Sequence, residues 1–533
     1  MSFKQKYLPA NSGPRALGTQ KPKFTNRFYE PILLLAALNL TSPDHQTPKA
    51  PDLSQGVAQS PELDFHCFVN KLALLCDSDR NGNTVTAVVV LQYPDHIQYR
   101  FASNQRKDAD LSQTQSFLEN ILETLGATDV SDLPMLSSHI LRKVISFTRP
   151  RIGSYVKSLK EQTALCINDC QRDDSQESKS ILTKIEKLKE LVSFSTDKNL
   201  DNMAYSTSCE SLICAIDLLH QSEVESLIRN KSKDGRMNQS PYWSEFRHAS
   251  GRLLSYLHAV RCLISTRKRL PELFEDFRVC YIASSIPEPL RNSIKDESLS
   301  MSDIIGRMTS DRTEMDTYRA HAQFLEKFEV DKEIQHLAKN KNFRPIVHAE
   351  IVVLDSISRD GVTSSPNFFG GYKYIGCSKP SCRLCSYYFA FHPSAVQSRP
   401  THRNLYHNWR MPVFSASGGP EPGSAREKLM NKILEQVRRD AFQTLREKVP
   451  ERKKHDSNTE PTYPIDGIST REHDITRHLT TGFRALDIGR SRASTSYSFR
   501  PTTLSEAVGI SVAENGSDNE DEDEDDVGGG VAL

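Results

Sequence analysis

The sequence lacks a long apolar run. The hydrophobic segment near its N-terminus, PILLLAALNL at residues 31–40, is about half as long as a helix that spans a bilayer, and no small-residue cleavage site follows it. These absences argue against a secretory signal and against a membrane helix. We therefore predict an intracellular protein, cytoplasmic or nuclear and not secreted, with no membrane partner.

Apolar residues and net charge are also scarce. Hydrophobic residues make up 37% of the 533-residue chain, the mean hydropathy is −0.52 and the formal net charge is zero. Such a polar chain indicates that folded regions are diluted by disordered ones. The charge is uneven, because residues 1–27 are basic without an acid and residues 514–526 are acidic without a base. We predict disordered ends at residues 1–27 and 449–533.

The cysteines lack the spacing of a disulfide framework. Their number, eleven, is odd, and they are scattered without a repeat. Thiols stay reduced inside cells, so clustered cysteines in this chain favour a metal site over disulfide bonds.

One early segment has the pattern of a small α/β domain. The segment DFHCFVNKLALLC (64–76) places its apolar residues on one helical stripe. Two runs rich in β-branched and aromatic residues follow it, TVTAVVVLQY (84–93) and HIQYRFASN (96–104), with a Pro-Asp turn between them. This order predicts a helix, a strand, a tight turn and a second strand.

A second α/β segment begins after residue 340. HAEIVVLDSI predicts a helix, YKYIGC (372–377) a strand and CRLCSYYFAF (382–391) another helix. The long region between the two α/β segments has helical periodicity throughout. The predicted organisation is a short helix and linker at 28–62, the first part of a domain at 63–105, a helical insertion at 106–340 and the second part of the domain at 341–448.

Four side chains in the second part have the chemistry of a metal site. His348 and Glu350 begin one apolar helix, and Cys382 and Cys385 form a C-x-x-C at the start of the next. One imidazole and two thiolates suit tetrahedral Zn²⁺, and a helix N-terminus favours the thiolate. Three protein ligands leave a fourth position for a water, whose pKa zinc lowers to near neutral. Glu350 is then placed to carry a proton from that water to a leaving group.

These motifs resemble a known family. H-x-E followed by P-x(0–1)-C-x-x-C is the signature of the zinc-dependent nucleoside and nucleic-acid deaminases, and HAEIVVLDSI, YIGCSKPSCRLCSYYF and YHNWRMP are most similar to a deaminase-like family expanded in fungi. In this chain Ser381 separates Pro380 from Cys382, where many relatives have proline directly before the cysteine. The resemblance implies an α/β protein with a three-layer α/β/α fold, here split by a large all-helical insertion. It also implies hydrolytic deamination of a cytosine- or adenine-type base in a nucleoside, nucleotide or nucleic acid.

The resemblance carries over to five residues of this sequence. It implies that His348, Cys382 and Cys385 hold zinc and that Glu350 is the acid–base catalyst. Asn104, which ends the second predicted strand, matches an asparagine that contacts the substrate in many relatives.

Two alternatives stay open from the sequence. Cys377 lies five residues before Cys382 and could complete a closed Cys₃His site, which would be structural and have no water to activate; otherwise its thiol packs as a small hydrophobe. The chain could accordingly be a catalytically inactive, zinc-stabilised interaction module. It would bind protein partners through the helical insertion or the acidic tail.

Other side chains near the motif are weaker candidates. Four aromatic residues flank a Gly-Gly pair and could stack on a flipped base, although strand alternation should bury half of them. These four are Phe368, Phe369, Tyr372 and Tyr374. In HRNLYHNWRMP (402–412), His402, His407 and Trp409 are expected at the edge of a core rather than at the metal.

Overall fold

The computed structural model describes most of the chain between residues 22 and 448. The described ranges are 22–42, 60–129, 133–196, 201–233, 241–287, 299–340, 343–412 and 422–448. Several predictions lie outside them: disorder at residues 1–21, most of the linker before residue 60, and the tail from residue 449 with its acidic segment.

The helices of the described ranges are α1 (Pro22–Thr41), α2 (Pro61–Cys76), α3 (Asp108–Ala127), α4 (Leu133–Phe147), α5 (Arg149–Arg172), α6 (Gln176–Leu191), α7 (Asn202–His220), α8 (Val224–Lys233), α9 (Pro241–Arg269), α10 (Met301–Met308), α11 (Arg312–Leu325), α12 (Val330–Lys339), α13 (Ala349–Arg359), α14 (Arg383–Phe391) and α15 (Pro422–Glu447). The strands are β1 (Thr86–Gln92), β2 (Ile97–Ser103), β3 (Phe277–Ile282), β4 (Tyr374–Cys377) and β5 (Gln397–Ser398).

The predicted order of helix, strand, turn and strand is confirmed in the first α/β segment. Ser60 caps α2, because its hydroxyl accepts the N–H of Leu63 at 3.2 Å. β1 and β2 then pair antiparallel from Thr86↔Ser103 to Gln92↔Ile97. The predicted helix, strand and helix of the second segment are α13, β4 and α14.

The strands form one mixed sheet in the order β3-β2-β1-β4-β5. β1 is antiparallel to both of its neighbours, β2 and β4, whereas β3 is parallel to β2 and β5 is parallel to β4. The protein is therefore an α/β protein, as predicted.

Helices cover both faces of this sheet. Val88 and Val90 of β1 face a core that they share with α2 to α9. Ala87, Val89 and Leu91 face a second core, which includes α1 and α10 to α15. Because side chains alternate along a strand, a strand that is apolar at every position is buried on both faces.

The prediction that residues 106–340 are all helical is wrong at β3. This strand runs parallel to β2, from Ile97↔Phe277 to Ala102↔Ile282. It is a short edge strand in which Val279 alone is fully buried, so its alternation is weak beside the strong helical periodicity of its surroundings. The region between the two predicted halves therefore adds a strand to the sheet and helices to both cores.

Helix α1 is part of the second core rather than a peripheral helix. It begins at Pro22, so residues 22–27, predicted to be disordered, are helical. Ile32, Leu33 and Leu35 are fully buried, and α1 packs against α12 and α15. A helix that is apolar on all sides is expected to be buried in this way. Across the described ranges, no helix combines the length and apolarity that crossing a bilayer requires.

Candidate metal centre

Two helix N-termini bring the predicted metal ligands together. His348 is the N-cap residue of α13, and Cys382 is the N-cap residue of α14. α13 packs against β1, β2 and β4, and the chain that leaves β4 at Cys377 reaches Cys382 five residues later. The sheet therefore fixes the position of both helix starts.

The distances between the ligand atoms fit a tetrahedral ion. Nδ1 of His348 is 3.6 Å from Sγ of Cys382 and 3.3 Å from Sγ of Cys385, and the three ligand atoms lie within 4.8 Å of one another. Tetrahedral zinc, with Zn–N of about 2.0 Å and Zn–S of about 2.3 Å, needs an N···S separation of about 3.5 Å. The three residues therefore form a possible metal site.

The electrostatics of the cluster favour a metal-binding thiolate. Burial raises the pKa of the Cys382 thiol, but hydrogen bonds to Cys385 and His348 and the charge of the imidazole outweigh burial and hold this pKa well below its ordinary value. The Cys382 sulfur also accepts the backbone N–H of Cys385 at 3.4 Å, as an N-cap acceptor does. The thiolate is the form of cysteine that binds metal.

Glu350 lies beside these ligands in the first turn of α13. Its side chain is buried, burial raises the pKa of its carboxyl, and the carboxyl interacts with the Cys385 thiol. Burial thus makes the protonated form of this carboxyl easier to reach, which suits a group that takes up and releases a proton.

Cys377 does not join the cluster. It lies in β4, paired with Ala87 of β1, its side chain belongs to the second core, and burial raises the pKa of its thiol. In the described part of the chain, the ligand atoms that meet are those of His348, Cys382 and Cys385. The geometry therefore gives no support to a closed Cys₃His site.

Asn104 connects the end of β2 to the start of α13, the helix that contains Glu350 and directly follows His348. Its Oδ1 accepts the N–H of Ala349 at 2.9 Å, and its Nδ2 donates to the carbonyl of Gly82 at 3.0 Å. Since Ala349 lies between His348 and Glu350 in the chain, the asparagine holds the segment that carries both. Its amide keeps a second acceptor site and a second N–H, so the predicted substrate contact is compatible with these bonds.

Trp409 contacts Cys385, one of the predicted metal ligands, and the sequence did not predict this contact. Its Nε1–H donates to Sγ of Cys385 at 3.3 Å. Two backbone hydrogen bonds of 2.8 Å hold the segment around Trp409 against the residues before α13. The N–H of Ile346 donates to the carbonyl of Asn408, and the N–H of Arg410 donates to the carbonyl of Ile346. Sequence reasoning placed Trp409 at a core edge, because nothing local in HRNLYHNWRMP indicates a bond to a sulfur 24 residues upstream.

The aromatic residues around the Gly-Gly pair lie in the cores. Tyr374 stacks on His66 with ring centroids 3.7 Å apart, and Phe369 stacks on Phe65 at 5.5 Å. Phe368 is buried in the second core, and Tyr372 packs against the first. The positions of these four residues therefore give no support to a role in stacking on a substrate base. In the described part of the chain, the cluster of possible metal ligands does not include His402 or His407.

The part of the chain that carries this cluster matches a known family. Residues 347–413 match the family model described as an OTT_1508-like deaminase. No curated protein and no solved structure matches the chain significantly. The matched segment includes His348, Cys382 and Cys385 together with Glu350 and Trp409, so this segment is deaminase-like, in agreement with its motifs.

Proposed function

We propose that this chain, with its deaminase-like segment, is a zinc-dependent hydrolytic deaminase. Its substrate would be a cytosine- or adenine-type base in a nucleoside, nucleotide or nucleic acid. The observation that carries the proposal is the meeting of His348, Cys382 and Cys385 around one point beside the buried Glu350. In this proposal, residues 63–105 and 341–448 form a three-layer deaminase fold into which residues 106–340 are inserted.

The donor set suits zinc. His348 Nδ1 and the two cysteine sulfurs would hold the ion and leave one tetrahedral position open. Bound there, zinc supplies Lewis acidity, which brings the pKa of a water molecule near to neutral. Trp409 would orient the Cys385 sulfur, because a hydrogen bond to a ligand fixes its position and moderates its charge.

Glu350 would handle the protons of the reaction. Its carboxylate accepts a proton from the attacking water and passes it to a ring nitrogen of the nucleobase. It then carries the second proton, from the hydroxyl that has been added, to the exocyclic amine, which leaves as ammonia. A carbonyl oxygen replaces that amine, so one water is consumed for each ammonia released. Burial supports this role, because it raises the pKa of the Glu350 carboxyl and so favours uptake of the proton.

Ammonia release by the full-length protein tests the proposal. The substrate panel would contain cytidine, adenosine, their deoxy forms and single-stranded DNA and RNA. We expect release from at least one member, and a decrease of about 10²- to 10⁴-fold in Glu350→Gln with the zinc content unchanged. Glu435→Gln, at an exposed position on α15, serves as the control and should keep full activity.

The opposite result would favour a non-enzymatic protein. If zinc-loaded protein released no ammonia from any member of the panel, the metal would only stabilise the fold. The chain would then be an interaction module whose partners are proteins, and the enzymatic proposal would be abandoned.

A further inference from the structure

Two cysteines from distant parts of the chain meet between α2 and α9. The thiol of Cys262 donates to the sulfur of Cys67 with the Sγ atoms 3.7 Å apart, although the two residues are 195 positions apart in the sequence. Both cysteines are free thiols. No local spacing connects them, because their contact is made by the packing of two helices.

The two helices hold these sulfurs in contact. α2 packs directly against α9, and Phe68 and Leu263, which follow the two cysteines, are buried in the same core. One turn before Cys67, Asp64 forms an ion pair with Arg269 of α9. A disulfide has an S–S length of about 2.05 Å, so the sulfurs need to approach by roughly 1.7 Å. Small rotations about the two Cα–Cβ bonds can supply this movement.

A small oxidant can reach this pair. Most of the eleven cysteines are buried, whereas Cys67 and Cys262 keep part of their surface exposed. Cys280 of β3 is also half-buried, but its sulfur contacts Nε2 of Gln98 at 3.6 Å. Susceptibility of a thiol to oxidation follows its exposure and its thiolate character.

Cys67 has the character of the attacking thiol. Lys71 lies four residues after it on α2, so the two side chains share one face of the helix. The hydrogen bond from Cys262 and the charge of Lys71 outweigh burial and bring the pKa of Cys67 to about 7. The thiolate is the nucleophilic form of cysteine, and Cys262, as the hydrogen-bond donor, keeps its proton.

A metal site at these two sulfurs lacks ligands. Zinc in proteins is usually held by three or four side chains. Among the described residues, no third histidine, cysteine or carboxylate forms a cluster with Cys67 and Cys262. Two thiols in contact, one of them nucleophilic, are instead suited to forming a disulfide with each other.

We propose that Cys67 and Cys262 form a redox-sensitive pair, which hydrogen peroxide or another hydroperoxide oxidises to a disulfide that clamps α9 onto α2. The Cys67 thiolate attacks one oxygen of hydrogen peroxide, the O–O bond breaks, and a sulfenic acid and a hydroxide form. Cys262 gives its proton to this hydroxide, and its sulfur attacks the sulfenic sulfur and displaces a second hydroxide. Counted from two thiols, the products are one disulfide and two waters, and the two electrons lost by the sulfurs reduce the peroxide.

The clamp would act on the helix that supports the end of β4. Asn70, one turn after Cys67, accepts the N–H of Cys377 at 3.1 Å, and the chain leads from Cys377 to the proposed metal ligands. The disulfide would also close a loop between residues 195 positions apart, which restricts the unfolded chain. The oxidised protein should therefore unfold at a higher temperature than the reduced protein.

Peptide mapping of the purified full-length protein tests the bond itself. The protein would be treated with a few equivalents of hydrogen peroxide, blocked with N-ethylmaleimide and digested with trypsin without reduction. Residues 50–71 and 262–267 form tryptic peptides with one cysteine each, so a linked pair identifies the disulfide. We expect this linked pair after peroxide and its loss after reduction with a phosphine.

Single serine variants test the order of the two steps. In Cys262→Ser the sulfenic acid has no partner thiol, so we expect dimedone, a probe for sulfenic acids, to label Cys67. In Cys67→Ser we expect no label on Cys262. Cys280→Ser is the matched control, because it removes a half-buried thiol of β3 and should form the disulfide as wild type does.

Thermal unfolding tests the clamp. Wild type and the double variant Cys67→Ser/Cys262→Ser would receive the same peroxide treatment, so that any effect on other thiols is common to both. We expect peroxide to raise Tm by a few degrees in wild type relative to the double variant.

Three results would overturn the proposal. The first is wild-type protein that shows no linked pair of these peptides after peroxide. The second is dimedone labelling of Cys262 in Cys67→Ser without labelling of Cys67 in Cys262→Ser, which would reverse the assigned roles. The third is linked wild-type protein whose Tm does not rise relative to the double variant, which would mean that the bond does not clamp the helices.

Discussion

Asn104 Oδ1 accepts the backbone N–H of Ala349 at 2.9 Å, and this bond joins the end of β2 to the start of the helix that carries His348 and Glu350. It satisfies one of the N–H groups that a helix leaves unpaired at its N-terminus. The orientation of the proposed metal ligand and that of the proposed proton carrier therefore depend on one amide from a distant part of the chain.

Asn104→Ala should lower the stability of the fold and the affinity for zinc together. The change leaves the N–H of Ala349 and the carbonyl of Gly82 without their partner, which costs about 1–3 kcal/mol. Urea unfolding and zinc competition with a chelator, both without substrate, measure the two effects. If Asn104 acted through the substrate alone, both would stay unchanged and only the KM for the substrate would rise.

Trp409→Phe should weaken zinc binding about 10- to 100-fold, because loss of a hydrogen bond to a ligand usually has an effect of this size. Phenylalanine keeps much of the packing but has no N–H to donate to Cys385. Tyr388→Phe is the matched control in the same core, since the Tyr388 hydroxyl is buried without a partner in the described residues. Equal zinc affinity in Trp409→Phe and wild type would rule out a role for this bond.

Gly376→Ala should destabilise the protein by about 1–3 kcal/mol or more, the usual cost of overpacking. A Cβ at residue 376 would lie 2.7 Å from the backbone carbon of Val69, so β4 and α2 would have to separate. Gly153→Ala, in α5, is the control: its nearest neighbour would be Tyr205 Oη at 3.5 Å, and alanine is favoured in a helix. The two variants should shift Tm in opposite directions, and a neutral Gly376→Ala would contradict the close packing.

His66 should make the protein less stable in acid. Burial lowers its pKa to about 4, whereas an unfolded histidine titrates near 6.5, so the unfolded chain binds more protons between these values. The free energy of unfolding therefore decreases as the pH falls from about 6.5 to about 4, and His66 contributes about 2 kcal/mol of the loss between pH 7 and pH 5.

His66→Phe tests this pH dependence. Phenylalanine keeps the stacking on Tyr374 but does not titrate. Urea unfolding at pH 7 and pH 5 should show a loss of stability about 2 kcal/mol smaller in the variant than in wild type. Equal losses in the two proteins would mean that the pKa of His66 is the same in the folded and unfolded states, which would contradict the effect of burial.

The sequence predicted the parts of the molecule that depend on neighbours in the chain. The run from Thr86 to Gln92 has a clear strand pattern, and the spacing of Cys382 and Cys385 fixes their positions on one helical turn. His348 and Glu350 were recognisable because the two cysteines follow them in an order with a known chemical meaning.

What the sequence could not predict depends on contacts between distant segments. β3 is a half-exposed edge strand set among long helical segments, and α1 is central only because α12 and α15 pack against it. The bond from Trp409 to Cys385 also arises from tertiary packing. No local pattern marks any of these residues.

The zinc content of the purified protein and its cysteine variants tests the central claim most directly. Metal analysis would compare wild type with the serine variants of Cys377, Cys382 and Cys385. An open site with three ligands predicts one zinc per chain in wild type and in Cys377→Ser, and less than one tenth of that in Cys382→Ser and Cys385→Ser. Loss of zinc from Cys377→Ser, or a wild-type protein that binds none, would contradict the account.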